Sequence, residues 1–323
     1  MDLLGYIDQR GVDLRPFAQD LGLDIETFSR VGHCIPLERL ALLFEDLSVQ
    51  LDDDLLGLNF SQANSAIGVS SLSYGMQSAP TLRHSLEFMI KFRSILIDLA
   101  YVKMEIGKKT AIVEWTFSPF VRKRNQFSDL LIAMTVRNIV RICPTPRVVR
   151  QARVERSEPQ DTSLHKKLLA PDVIFDQPSS MLILDSKAMD RPNPYQDSGL
   201  HALMIHECQT ALETLGAKDI ISLVIEAITD NLADGNLTLG QLAPRIGVSE
   251  RSLQRSLQQR GQGFHNLVEM VRQETAHRYL VSTELSFSEI SYRLGFSAPS
   301  AFTRSSLRWF GKTPSVVRKS ETV

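Results

Sequence analysis

Two stretches near the C-terminal end decide how this chain folds. One reads Leu242-Ala243-Pro244-Arg245-Ile246-Gly247-Val248-Ser249-Glu250-Arg251-Ser252-Leu253. The other reads Ile290-Ser291-Tyr292-Arg293-Leu294-Gly295-Phe296-Ser297-Ala298-Pro299-Ser300-Ala301, 48 residues further on. Aligned, they keep apolar, small, any, any, apolar, Gly, apolar, Ser in register. Each reads as a short helix, a glycine turn and a second helix. The turn asks for a residue tolerant of positive φ, which Gly247 and Gly295 supply. Steep packing of the helices asks for apolar residues at their contact. Leu242, Ala243, Ile246, Val248 and Leu253 meet that need in the first copy, and Ile290, Ser291, Leu294, Phe296 and Phe302 in the second.

The helix starts carry their own signals. Thr238 with Gln241 and Ser286 with Glu289 have capping-box spacing. Ser249 and Ser297 stand where the second helix of each copy is expected to begin. Thr313-Pro314 reads as an N-cap followed by proline in the first helical turn. Between the copies, Phe264 to Leu280 keeps helical periodicity and predicts a connector of about 25 Å. A rigid connector of that order suits two helices entering successive major-groove segments, roughly 34 Å apart.

A helix–turn–helix that reads DNA must turn hydrogen-bond donors outward from its second helix. The first copy offers Arg251, Ser252, Gln254 and Arg255. The second offers the poorer set Ser300, Thr303 and Arg304. The expectation is therefore base reading by the first copy, and phosphate contact or shape reading by the second. Charge agrees with a polyanion partner for this end. Residues 235–323 hold 12 Lys+Arg against 6 Asp+Glu, whereas the remainder holds 24 against 31.

The 323 residues exceed one ordinary core and predict two domains. Composition is that of a soluble globular protein, 43% hydrophobic and 23% charged. No apolar run approaches the roughly 18 residues of a membrane span. Met1-Asp2-Leu3-Leu4-Gly5 lacks the basic start of a secretory signal. Cys34, Cys143 and Cys208 are scattered and odd in number, which fits a reducing cytoplasm and shows no zinc spacing.

Residues 1–195 read as a mixed α+β domain. Pro36 opens a helix carrying Leu37, Leu40, Leu43, Phe44 and Leu47. A second follows Ala79-Pro80-Thr81. Tyr101–Ile106, the turn Gly107-Lys108-Lys109 and Ala111–Phe117 alternate as a β-hairpin. Phe127–Cys143 is helical and stops at Pro144-Thr145-Pro146. Short strands are expected at Val148–Val154, Val173–Phe175 and Met181–Leu184. Asp190-Arg191-Pro192-Asn193-Pro194 reads as a boundary loop. Residues 196–217 read as a connecting helix whose Leu203, Leu212 and Leu215 face the body or a second subunit. Residues 218–323 form the all-α domain, with helix–turn–helix motifs at about 238–259 and 286–308.

The tail resembles the DNA-binding domain of AraC/XylS-type transcriptional regulators. The resemblance is carried by Ile290 to Arg304, by Arg308-Trp309-Phe310-Gly311-Lys312-Thr313-Pro314-Ser315, by Leu253-Gln254-Arg255 and by Val271 to Leu280. It adds Lys312 and Thr313 to the DNA-contact set. The pattern is broken at Ser306, where the family usually has a large apolar residue, and at Leu307, where a basic residue is usual. Either Leu307 turns in to fill the core or the second copy is weakened. The body resembles the arabinose-binding-like N-terminal domain of one AraC-type subgroup, through Ile35-Pro36-Leu37, Gly57-Leu58, Ser78-Ala79-Pro80-Thr81-Leu82 and Asp190-Arg191-Pro192. The resemblance implies a cytoplasmic, homodimeric, effector-responsive activator that binds promoter DNA and contacts RNA polymerase. It does not make arabinose the ligand.

Other constellations carry less. His201, His206, Glu207 and Cys208 miss the i, i+4 spacing of helical zinc sites, so no metal or cofactor is expected. Asp52-Asp53-Asp54 reads as a helix start. Arg122-Lys123-Arg124 is a solvated loop or an anion site. Phe88, Phe92, Arg93, Tyr101, Trp115 and Phe117 are the candidate effector-pocket residues, with core packing as their alternative. Neither a Gly-rich phosphate loop nor a Ser/His/Asp set is discernible, and no enzymatic activity is expected. Two further functions make different demands on the chain. A DNA-alkylation repair fusion would need a reactive Pro-Cys-His-Arg cysteine, which Ile142-Cys143-Pro144 is not. A ligand-independent dimeric regulator or repressor would use the body only to dimerise.

Overall fold

A computed structural model describes the chain except for residues 1–2, 24–36, 64–69, 97–99, 119–120, 122, 216–219, 236, 260–261, 284 and 321–323. Cys34, Pro36, Arg122 and the expected boundary at Lys218 lie outside the described residues. The chain divides into two compact units, Met1–Leu215 and Gly216–Val323.

The first unit begins with helices α1 (Leu3–Asp8), α2 (Arg15–Asp20), α3 (Leu37–Gln50), α4 (Leu56–Ala63), α5 (Ser71–Ser78) and α6 (Leu82–Phe92). Strands β1 (Ala100–Ile106) and β2 (Thr110–Phe117) follow, then α7 (Asn125–Ile142), β3 (Val149–Arg153), α8 (Ser163–Leu168), β4 (Asp172–Ile174), β5 (Ser180–Asp185) and α9 (Ser198–Leu215). The five strands form one mixed sheet in the order β1-β2-β5-β3-β4, in which only β3 and β4 run parallel.

Period-2 alternation sets the sheet's buried face. Ala111, Val113, Trp115 and Phe117 are buried along β2, and Leu182 pairs opposite Val113 from β5. Helix α7 covers this face, and the Ser128 and Ser180 hydroxyls meet there at 3.2 Å. Thr81 caps α6 by accepting from the His84 backbone N–H, as serine and threonine do at helix starts. Asp53 accepts from the Leu55 N–H at 3.0 Å just before α4, and Asp54 pairs with Arg156 at 2.7 Å.

Helix α9, expected as a connector, packs on α5 within the first unit. His201 Nδ1 lies 2.9 Å from the Gly75 carbonyl, and Cys208 is fully buried. Leu203 is 52% exposed, so it does not face the body.

The second unit is all helical: α10 (Ile220–Asp230), α11 (Leu239–Arg245), α12 (Glu250–Gln259), α13 (Phe264–Ser282), α14 (Phe287–Arg293), α15 (Pro299–Phe310) and α16 (Pro314–Ser320). Val224, Ile225 and Ile228 of α10, Leu267 and Val271 of α13, and Phe302 of α15 are buried in this unit. Among the described residues no helix is long and apolar enough to cross a membrane.

Candidate nucleic-acid interface

The two motifs are α11–turn–α12 and α14–turn–α15. Thr238 with Gln241 and Ser286 with Glu289 form complete capping boxes, which fix the first helix of each. Gly247 and Gly295 turn the chain at φ of 75° and 74°. Their surroundings differ. A Cβ on Gly247 would meet nothing within 4 Å, whereas one on Gly295 would lie 2.2 Å from the Leu232 carbonyl oxygen. The second turn therefore needs glycine twice over, for its dihedral and for close backbone approach.

The starts of the second helices also differ. Ser249 accepts from the Ser252 N–H at 3.2 Å and caps α12. Ser297 does not perform this role in the second motif, because α15 starts two residues later. Its N-cap is Ala298, without a side-chain bond, and Pro299 occupies the first turn. Proline supplies a pre-set φ there and has no N–H to be capped.

Arg251, Ser252, Gln254 and Arg255 are all exposed on α12, while Leu253 and Leu257 are buried beneath them. Arg251, Gln254 and Arg255 follow the i, i+3, i+4 spacing of one helix face. Gln258, which sequence reading missed, is also exposed and extends that face by a turn. Its signal was the same spacing carried one step further. The Ser252 hydroxyl receives a bond from Ser249 Oγ at 2.8 Å.

On α15, Ser300 and Arg304 are exposed. Thr303 is half-buried and its hydroxyl donates to the Pro299 carbonyl at 3.1 Å, so it offers solvent less donor capacity. Lys312 is exposed, and Thr313 is half-buried with its Oγ1 3.1 Å from Ser315 Oγ. The two residues that depart from the family pattern resolve plainly. Leu307 is 47% exposed and does not fill the core, while Ser306 is completely buried. The Ser306 hydroxyl donates to the Lys312 carbonyl at 2.8 Å, so the buried polar group is satisfied. Leu307 falls on the same helix face as Ser300 and Arg304.

Helix α13 has 19 residues, about 28 Å of strut. Arg272, near its middle, donates to the carbonyls of Leu294 at 3.1 Å and Gly235 at 2.9 Å, and stacks over Phe296. Glu269, one turn earlier, accepts from Arg308 and from the Trp309 indole N–H of α15. Arg318 of α16 donates to the carbonyls of Leu280 and Leu285. The second motif is thereby bonded to the strut by charged side chains.

In the first unit the candidate effector residues separate. Arg93 and Trp115 border a cavity of about 90 Å³ between α5, α6, α7 and the hairpin. Phe88, Phe92, Tyr101 and Phe117 are buried but do not border it. Phe88 packs on Phe92 and His201 and crosses Gly75, where a Cβ would stand 2.1 Å from its ring. Arg93 donates to the carbonyls of Ile90 and Ala100, which holds the end of α6 to β1. A cavity of 90 Å³ is small beside the roughly 300–1,000 Å³ of ordinary ligand pockets. His206 and Glu207 are exposed, and burial pushes the Cys208 thiol up to about 11. Among the described residues no three His, Cys, Asp or Glu are grouped to hold a metal.

Two helix–turn–helix motifs on a common strut, following an α/β unit, define a DNA-binding transcription regulator. The chain belongs to the AraC family. Residues 11–193 match the family described as the arabinose-binding domain of AraC transcription regulator, N-terminal, and residues 242–320 match a helix-turn-helix domain. The ornithine utilization regulator of Pseudomonas aeruginosa is 24% identical over 268 residues, covering 82% of this chain and 78% of that one. The regulator VirS of Mycobacterium tuberculosis is 40% identical over 83 residues, 26% of this chain and 24% of its own. The solved structure of the regulator CdpR from Pseudomonas aeruginosa aligns over 95% of this chain and 96% of that one, with 17% identity and a TM-score of 0.44.

Proposed function

We propose that this regulator is a cytoplasmic homodimer which activates transcription when the first unit binds a small-molecule effector. The observation that carries the DNA half of this reading is the α12 face. Arg251 and, one turn on, Gln254 and Arg255 stand exposed and without an intramolecular partner among the described residues. Arginine pairs with guanine and glutamine with adenine through bidentate contacts, each worth about 1–3 kcal/mol of discrimination. Ser300, Arg304, Lys312 and Thr313 supply the second contact, chiefly to phosphate. The effector half rests on coupling between a ligand in the first unit and DNA in the second. Self-association draws on α9, where Leu203 is exposed opposite the buried Cys208. RNA polymerase is the partner that activation requires. In this reading the chain binds and releases its partners without chemical change.

Footprinting of the full chain on DNA flanking its own gene tests the reading. The expected result is paired protected windows one helical turn apart within each half-site. Absence of any protection at low salt would refute it. A second reading, a regulator that needs no ligand, is favoured by the small volume of the hairpin cavity. A thermal-shift screen of metabolites separates the two, because only a gated regulator is stabilised by a hit.

A further inference from the structure

A larger cavity, about 680 Å³, lies elsewhere in the first unit, between α7, α8 and the turn that leads into β3. Its walls include Arg137, Arg147, Lys166 and Lys167 and, among the described residues, no aspartate or glutamate. This is a cationic hollow in the half of the chain that carries the acid excess. Arg147, Lys166 and Lys167 are exposed and have no ion-pair partner among the described residues. Arg137 donates to the Ser61 carbonyl at 2.6 Å, which fixes one edge. Buried Val136 and Leu169 form an apolar floor.

The turn that presents Arg147 is built against its own preference. Residues Thr145-Pro146-Arg147-Val148 close through a Val148 N–H bond to the Thr145 carbonyl at 3.2 Å. Arg147 sits at φ 60°, in the left-handed region. Proline before a positive-φ residue is the type II arrangement, in which glycine or asparagine is favoured at the Arg147 position. An arginine there costs about 1–2 kcal/mol, and strain of this kind gathers at binding sites. The turn is also tethered. Arg191 donates to the Thr145 hydroxyl at 2.8 Å, and Cys143 Sγ lies 3.3 Å from the same oxygen. The tether and the closing bond hold the strained backbone of Arg147 beside a hollow whose walls carry three other cations.

We propose that this hollow is a binding site for a small organic polyanion, with carboxylate or phosphate groups held by Arg137, Arg147, Lys166 and Lys167. Such a ligand brings negative charge to four cations and accepts charge-assisted hydrogen bonds from the arginines. Its apolar part would rest on Val136 and Leu169. The hollow is of ordinary ligand size, whereas the hairpin cavity is not. Binding here needs no DNA, so it stands or falls separately from the reading of the second unit.

The test is calorimetric titration of the full chain, without DNA, with citrate and with inorganic pyrophosphate at constant ionic strength. Saturable binding of at least one probe is expected, and the stronger of the two identifies carboxylate or phosphate as the preferred group. Arg147→Gly is expected to weaken that binding by at least ~10-fold while leaving Tm unchanged or raised, since glycine relieves the turn. The double variant Lys166→Gln/Lys167→Gln, altered only at exposed side chains, is expected to weaken it to a similar degree. The proposal is overturned if neither anion binds beyond a matched chloride control, or if both variants bind as tightly as the parent. It is equally overturned if both variants lose affinity for a generic duplex while the parent ignores both small anions. The hollow would then serve DNA phosphates.

Discussion

Arg272, in the middle of the connector helix, donates to the carbonyl of Gly235 at 2.9 Å, ahead of the first motif. Its Nε donates to the Leu294 carbonyl in the second motif's turn. One guanidinium thus bonds the strut to the segment ahead of the first motif and to the turn of the second, in a partly buried setting. Hydrogen bonds to charged groups contribute about 1.5–3 kcal/mol each. Arg272→Ala is expected to destabilise the tail by about 2–3 kcal/mol, read from urea denaturation, and to weaken DNA binding. Arg272→Lys is expected to recover little, because an ammonium cannot span both carbonyls in a fixed fork.

The two turn glycines separate dihedral cost from steric cost. Gly247→Ala meets open space and is expected to cost about 1–2 kcal/mol for its positive φ alone. Gly295→Ala places a methyl group on the Leu232 carbonyl and is expected to cost more than 3 kcal/mol, or to prevent folding of the tail. Equal melting temperatures for the two variants would refute the difference.

Ser306 is where a resemblance to relatives misleads and local geometry corrects it. Its buried hydroxyl bonds the Lys312 carbonyl at the loop between α15 and α16. Ser306→Ala is expected to cost about 1–2 kcal/mol by leaving that carbonyl short of a donor. Ser306→Phe, the change toward the usual family residue, is expected to be destabilising by about 1–3 kcal/mol through overpacking. Denaturant midpoints of both variants check this.

The tail was legible because its signals are local. Capping boxes, a positive-φ glycine and helical spacing each act within four or five residues, and both capping boxes form as written. The β1–β2 hairpin was legible for the same reason, since alternation and a short turn fix it. What failed depended on tertiary context. Ser297 has the right chemistry for a cap, yet Pro299 sets the helix start. Leu307 is apolar and still exposed, because Ser306 holds the inward position. The buried Asp129–Arg156 pair, 2.7 Å apart, joins residues 27 positions apart. No short motif announces it, nor the gathering of Arg137, Arg147, Lys166 and Lys167 around one cavity.

Glu45 links the body's stability to pH. Burial raises its carboxyl above the ordinary range, against the lowering effect of the Gln126 N–H bond at 2.8 Å and of Arg156. A raised native pKa means the folded state holds this proton where the unfolded chain releases it. The favourable contribution is full below the unfolded carboxylate pKa, about 4.3, and is lost as pH rises through the native value. Glu45→Gln keeps the acceptor for Gln126 and removes the charge. Its Tm is therefore expected to exceed the parent's at neutral pH, with the gain vanishing in acid. A gain that grew in acid would contradict the assignment.

Base reading and phosphate anchoring leave different traces in binding data, and the two motifs are expected to divide along that line. Arg251→Ala and Arg255→Ala remove donors from a face whose neighbours Leu253 and Leu257 are buried, so the helix keeps its seat. Each is expected to cost about 1–3 kcal/mol on the cognate site and far less on a scrambled duplex. Specificity would fall at one base position per variant. Arg304→Ala, on the face that also holds Ser300 and the apolar Leu307, is expected to weaken cognate and scrambled duplexes alike. It should also reduce the salt slope of log K by about 1. Binding isotherms across a salt series, with a panel of single-base operator variants, separate these outcomes. If Arg304→Ala relaxed specificity while Arg251→Ala acted uniformly, the division of labour between the motifs would be the reverse of the one drawn from their donor sets.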